Sequence, residues 1–231
     1  MKTKDGSNCG LCLESVKCNK SKIMMDISND KKIEKPSLLL HSCCGPCSSS
    51  VIERLIGEFN ITVFFYNPCI TDEEEYKRRR DTQIELIREI NDRKGQIAGA
   101  FNFEGVTPIA FTEGAYEPAA FLSMVVGREE DPEGGARCSL CFRQRLEKTA
   151  QTAILKGCDY FGTTLTVSPH KNYERISAIG REIGLKYGLS FLDRDFKKKD
   201  GFKRSIELSR EYNLYRQDYC GCVYSNYHLD R

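Results

Sequence analysis

Seven cysteines fall in three groups: Cys43, Cys44 and Cys47; Cys138 and Cys141; Cys220 and Cys222. Thiols in such groups, with no histidine at finger spacing, suit soft metals. Seven exceed the four ligands of one tetrahedral zinc. They fit an iron–sulfur cluster, or a cluster with a neighbouring metal. The chain carries 12 cysteines in 231 residues, so disulfides, metal sites and thiol redox chemistry all need weighing. With 40% hydrophobic residues it can bury one sizeable α/β core without disulfide staples. The Met1 start has no apolar signal region and no run long enough to span a membrane. The expectation is a cytoplasmic protein whose thiols bind metal. Net charge is only +2, so a nucleic-acid partner must be argued from local clusters.

The groups are far apart in the chain, so the fold must join them. Leu38–Leu40 runs into His41-Ser42-Cys43-Cys44-Gly45-Pro46-Cys47, and Val51, Ile52, Leu55 and Ile56 then recur at helical spacing. This predicts a strand over 36–41, a tight loop and a helix over 48–58. Ligands of open α/β sheets bind outside the carboxyl ends of strands, where these thiols fall. A β-branched, aromatic strand follows at 61–66, ended by Asn67-Pro68, with Cys69 just beyond. Thr71 and Glu74 read as a capping box opening a helix to about 93. Ile84, Ile87 and Ile90 make its stripe, and Arg78–Arg80 read as a solvated face. Glycines break the pattern between 95 and 113, with a strand expected at 107–111 and a helix at 117–126. Asp131–Gly135 leads Cys138 and Cys141 into a helix over 138–156, whose amino end favours thiolate. A strand at 159–166 and a helix at 172–187 follow, the latter with Ile176, Ile179 and Ile183 inward. A short strand at 191–192, a Lys197–Lys199 loop and a helix at 202–212 complete the pattern. Alternating strands and helices imply an α/β fold with a mainly parallel sheet. Residues 1–35, with Cys9, Cys12 and Cys18, read as a polar flexible tail; 36–231 read as one α/β catalytic domain. Cys158 reads as packing.

No Ser-Gly-Gly-x-Asp-Ser phosphate loop occurs, so adenylation with ATP is not expected. No G-x-G-x-x-G follows a strand, so neither is a bound nicotinamide. Electrons would enter through the metal centre from an outside donor.

Several longer motifs then coincide: Leu-Leu-His-Ser-Cys-Cys-Gly-Pro-Cys from Leu39, Tyr-Asn-Pro from Tyr66, and Glu-Gly-Gly-x-Arg-Cys-x-x-Cys from Glu133. Others are Thr-Thr-Leu-Thr-Val-Ser-Pro-His-Lys-Asn from Thr163, Asp-Phe-Lys-Lys-Lys-Asp-Gly from Asp195, Ser-Ile-Glu-Leu-Ser from Ser205 and Tyr-Arg-Gln-Asp-Tyr-Cys-Gly-Cys from Tyr215. In these the chain resembles the cobalamin-independent epoxyqueuosine reductases (QueH) over about residues 36–225. The resemblance implies a Rossmann-like parallel sheet of the adenine-nucleotide α-hydrolase-like (HUP) type. It implies reduction of epoxyqueuosine to queuosine, the last step of queuosine biosynthesis, at the wobble position of tRNAs for Asp, Asn, His and Tyr. It implies a [4Fe-4S] cluster, with Cys43, Cys44, Cys47, Cys138, Cys141, Cys220 and Cys222 as the metal-binding set. Which of them hold the cluster, and which a second thiolate-bound iron or zinc, stays open. The family often has asparagine at the position of Cys69, which argues against an essential ligand there.

The chemistry needs two electrons, two protons and loss of the epoxide oxygen as water. An iron left open by a three-cysteine cluster would act as Lewis acid for that oxygen. Candidates to protonate it are His41, His170, Asp218 and Tyr219; His41 reads equally as a hydrogen-bonded residue beneath the loop. An anticodon stem-loop presents phosphates and unstacked bases. Lys197, Lys198, Lys199, Lys203 and Arg204 form the dense basic cluster to hold them, helped by Lys171 and Arg216, unless the lysines are only a solvated loop. Tyr215 and Tyr219 are positioned in the motif to stack a base. Three other readings compete: a cluster-dependent tRNA sulfur transferase, a zinc-stabilised RNA-binding module, and a thiol–disulfide oxidoreductase built on Cys44-Gly-Pro-Cys47.

Overall fold

The computed structural model describes residues 35–92 and 107–228. Among them, β1 (Ser37–Ser42), β2 (Asn60–Phe65), β3 (Ala110–Glu113), β4 (Tyr160–Thr163) and β5 (Ser190–Phe191) form one sheet in the order β3-β2-β1-β4-β5. Every pairing is parallel. The crossovers are helical: α1 (Gly45–Leu55), α2 (Glu73–Asp92), α3 (Pro118–Met124), α4 (Ala136–Leu155) and α5 (Tyr173–Tyr187), with α6 (Gly201–Glu211) after β5. The strand order reverses at β1, which pairs with β2 on one side and β4 on the other. That reversal opens a crevice at the carboxyl end of β1, the usual ligand position of such sheets.

Both faces of β1 are buried, as a central parallel strand requires. Leu38 and Leu40 pack with Val51, Ile52, Leu55, Leu86, Ile90 and Leu208 on one face. Leu39, one residue out of step, packs with Phe64, Leu146, Phe161, Ile176 and Ile183 on the other. Each such side chain contributes roughly 1.5–3 kcal/mol on burial. A third group lies at the carboxyl edge and mixes ordinary core with thiols: Phe65, Ile70, Tyr76, Phe121, Cys69, Cys141 and Cys222.

Several local features depart from the sequence expectation: β3 lies at Ala110–Glu113 rather than 107–111, and the strand expected to reach 166 ends at Thr163, where Leu165–Val167 form a 3-10 turn. Helix α1 starts at Gly45 rather than 48, because Pro46 fits the first turn and extended Cys44 is the cap. In α2 the cap is Asp72, not Thr71: Asp72 Oδ1 accepts from the Glu75 N–H at 2.7 Å, which moves the start one residue on. The α2 stripe uses Leu86 with Ile87 and Ile90, while Ile84 is only half-buried. The glycines at 95, 99 and 105, and the tail with Cys9, Cys12 and Cys18, lie outside the described residues. No described helix is long and apolar enough to cross a membrane.

Candidate metal centre at the strand ends

The first thiol group is held by a loop bonded on every side. Ser42 and Ser48 both donate to Gln83 Oε1 at 2.7 Å, and Asn67 Nδ2 donates to the Ser42 carbonyl at 2.9 Å. A Cβ on Gly45 would meet the Thr82 carbonyl oxygen at 3.0 Å, so the loop lies close against α2. The result is that the Sγ atoms of Cys43, Cys44 and Cys47 lie within 4.8 Å of one another. Two thiolates on one tetrahedral metal lie about 3.8 Å apart, so one ion could draw this group in. Hydrogen bonds from Cys43 and Cys47 hold the Cys44 thiol well below its ordinary pKa, while bonds with Cys43 and Cys44 push Cys47 up. Three sulfurs gathered at a helix amino end form a donor set suited to a soft cation.

The second group enters from the first turn of α4. The Gly134 N–H donates to Cys138 Sγ at 3.3 Å. Arg175 bonds the carbonyls of Gly134 and Gly135, fixing the loop before the helix. Cys141 is buried against Cys69, and its hydrogen bond keeps the Cys69 thiol below its ordinary pKa.

The third group is held from α2. Arg79, only 1% exposed, donates to the carbonyls of Cys220 (3.0 Å) and Tyr219 (3.2 Å). Its charge is met by Glu75 Oε1 at 2.6 Å, and Glu75 Oε2 accepts from the Tyr215 hydroxyl at 2.8 Å. The Arg78–Arg80 run is therefore not simply a solvated face; its middle member is a buried clamp. Between the two cysteines Gly221 has φ 91°, and a Cβ there would meet Ile70 Cγ1 at 2.9 Å.

These groups meet. Cys43, Cys47, Cys69 and Cys220 line a cavity of about 440 Å³. Cys138, Cys141, Cys220 and Cys222 line a small void adjoining it through Cys220, Lys171, His170 and Arg145. Residues of the cavity wall carry buried atoms with no hydrogen-bond partner: Thr164 Oγ1, Gln217 Oε1 and Arg145 Nη2. Such orphans fit a site built for a polar ligand or a metal-bound group. The donor set, all sulfur, fits zinc or an iron–sulfur cluster.

The proton-donor candidates separate. His170, Asp218 and Tyr219 line the cavity. His41 lies beneath the loop, fully buried, with Nδ1 3.0 Å from Thr163 Oγ1 and Nε2 3.1 Å from the Tyr66 carbonyl. The carbonyl can only accept, so the neutral ring donates from Nε2. Burial, with Arg145 nearby, lowers its pKa to about 4. This is the geometry of the hydrogen-bonded histidine under the loop.

The basic residues separate as well. Lys171 lies inside the cavity wall, its Nζ 3.7 Å from Cys220 Sγ; burial, the largest influence, opposes its charge, but Cys220 together with Cys43 and Glu133 turns the net shift upward. Lys197 Nζ donates to the Lys171 carbonyl at 2.8 Å. Lys198, Lys199 and Lys203 are exposed. Arg204 is engaged by Glu53 at 2.8 Å and Glu207 at 3.0 Å. Arg216 lies over the Phe202 ring at the cavity wall. Sequence reasoning missed Arg79, Arg145 and the enclosure of Cys69; for Arg145 the signal was its place one turn after Cys141.

A doubly wound parallel sheet with a thiol cluster at its carboxyl edge defines an α/β protein equipped to bind metal. A family model described as epoxyqueuosine reductase QueH matches residues 38–228, and the chain belongs to that family. It is 40% identical to the epoxyqueuosine reductase QueH of Streptococcus pyogenes serotype M1 over 211 residues, 90% of this chain and 78% of that one. It is 38% identical to that of Staphylococcus epidermidis over 217 residues, 92% and 87% of the two chains. It is 34% identical to that of Thermotoga maritima over 191 residues, 82% and 90%.

Proposed function

We propose that this protein reduces the epoxide of epoxyqueuosine in tRNA to the alkene of queuosine. The observation that carries the reading is the meeting of three distant cysteine groups beside one polar-walled cavity, in a chain of the QueH family. The balance is epoxide plus two electrons and two protons giving alkene and water. Both carbon–oxygen bonds break, and the oxygen leaves as water.

Cys43, Cys44, Cys47, Cys138, Cys141, Cys220 and Cys222 would hold a [4Fe-4S] cluster, with thiols to spare for a neighbouring iron or zinc. That centre supplies the electrons, taken from an external donor, and a Lewis acid for the oxygen. The protein's own residues bind, orient and protonate. His170, Asp218 and Tyr219 supply or relay protons at the cavity wall. Asn67, Gln217 and Thr164 offer polar groups to the entering modified base. Tyr219, at the cavity wall, would be the aromatic ring against which a base stacks. The exposed Lys198, Lys199 and Lys203, with Arg216 at the cavity, meet phosphates of the anticodon stem-loop of tRNAs for Asp, Asn, His and Tyr. Such a substrate places the protein in the cytoplasm.

The test is anaerobic purification with iron and sulfide analysis, then incubation with a reductant and epoxyqueuosine-tRNA and nucleoside mass spectrometry. About four or more irons per chain with queuosine formed is the expected result. A colourless zinc protein that binds tRNA and leaves the epoxide intact overturns it in favour of an RNA-binding module. An iron–sulfur protein that leaves the epoxide intact removes the substrate and keeps the centre.

A further inference from the structure

Arg145 is 1% exposed, yet among the described residues no carboxylate forms an ion pair with it. Arg79, equally enclosed, has Glu75. A buried guanidinium without a counter-charge is costly, and proteins avoid it unless a charge is there to meet it. Arg145 lies on α4 one helical turn after Cys141, and its Nε donates to the Cys141 carbonyl at 3.3 Å. Its Nη2 has no hydrogen-bond partner. The side chain lines both the large cavity and the adjoining void, so it stands between the cysteine groups. The strongest charge influences on it come from Cys141, Cys69, Cys220 and Cys43, every one a sulfur, while Lys171 and His41 also lie within its reach.

We propose that Arg145 is the internal counter-ion of the metal centre: its charge offsets that of the neighbouring sulfurs, and its Nη2, which has no other hydrogen-bond partner, donates to them once metal is bound. It is a positioning residue, acting on the centre rather than on the substrate. The reading rests on the thiols holding metal, as proposed above, and not on the identity of the substrate. A buried positive charge and a donor to sulfur both favour the more reduced, more negative state of a thiolate-bound cluster, so they raise its reduction potential. They also strengthen retention of the metal, as hydrogen-bonding neighbours of ligands do.

The test uses the full chain, loaded anaerobically, with Arg145→Gln and with Arg145→Lys as the rescue. Two quantities are read: the midpoint potential by EPR-monitored titration, and the rate of metal loss to a chelator. In Arg145→Gln the potential moves to a more negative value and metal is lost at least about tenfold faster. Arg145→Lys restores most of the potential. A folded Gln variant with the parent's potential and loss rate overturns the proposal. So do Gln and Lys variants that shift equally, because the effect then belongs to packing rather than charge. If the Gln chain does not fold, Arg145→Met replaces it; failure of both to fold makes Arg145 a folding requirement and also rejects the proposal. A centre holding only zinc leaves the chelator rate as the readout. A parent chain that takes up no metal fails the metal-centre reading itself, a result distinct from a loaded parent with unshifted variants.

Discussion

Arg79 Nη1 donates to the carbonyl oxygen of Cys220 at 3.0 Å. Through that bond, helix α2 sets the position of a cysteine far along the chain. The guanidinium also meets Glu75, which in turn accepts from Tyr215. One buried side chain thus secures both ends of the segment carrying Tyr215, Cys220 and Cys222.

Arg79→Ala is expected to destabilise the protein by about 3–5 kcal/mol, because it leaves Glu75 buried and unpaired. Denaturant unfolding measures this. The double change Arg79→Met with Glu75→Gln is expected to recover much of the stability while still loading less metal. Full metal content in that double variant would show that the clamp does not position Cys220.

Gly221→Ala tests the same segment from the other side. With φ at 91° and Ile70 at 2.9 Å from the new Cβ, the substitution is expected to cost about 1–3 kcal/mol. Metal content should fall along with the melting temperature. An alanine variant as stable as the parent would mean the loop tolerates another backbone conformation.

His41 predicts a pH dependence with a definite sign. Its folded pKa is about 4 against an ordinary 6.5, so the unfolded chain takes up a proton that the folded protein refuses. The stabilisation is therefore full above about pH 6.5 and is lost as pH falls towards 4, a span worth roughly 3 kcal/mol. His41→Asn is expected to flatten that part of the stability–pH curve. An unchanged slope between these values would assign the titration to another group.

The exposed lysines and Arg204 make a paired test of the tRNA interface. Lys198→Glu with Lys199→Glu is expected to weaken tRNA binding at least about tenfold and to flatten its salt dependence by roughly 0.7 per lost contact. Arg204→Ala should change affinity by less than about twofold, since Glu53 and Glu207 already engage that side chain. Equal losses in the two variants would contradict this division.

The alternation of apolar runs and helical stripes carried the fold because the central strand is buried on both faces, as Leu38, Leu39 and Leu40 illustrate. The thiol groups were legible because their spacing places them at strand and helix ends. What the residues could not reveal depends on direction. Three adjacent arginines on a helix point about 100° apart, and composition does not say that Arg79 is the one turned inward. The same holds for Arg204, whose partner Glu53 lies on α1, and for Arg145, which is buried with no carboxylate partner among the described residues. Asp72 displaced Thr71 as cap because both residue types suit the position and only the entering backbone decides.

The clamp also has a timetable. Arg79 and Cys220 are 141 residues apart in the chain, and Cys43, Cys44 and Cys47 are made before Arg79. At roughly 5–20 residues per second, Cys43, Cys44 and Cys47 leave the ribosome at least about 9 s ahead of Cys220 and Cys222. During that interval the first cysteine loop is an incomplete site, open to the wrong metal or to oxygen. A centre that draws on all three cysteine groups would therefore mature only after synthesis of the Cys220 segment, whatever supplies the metal.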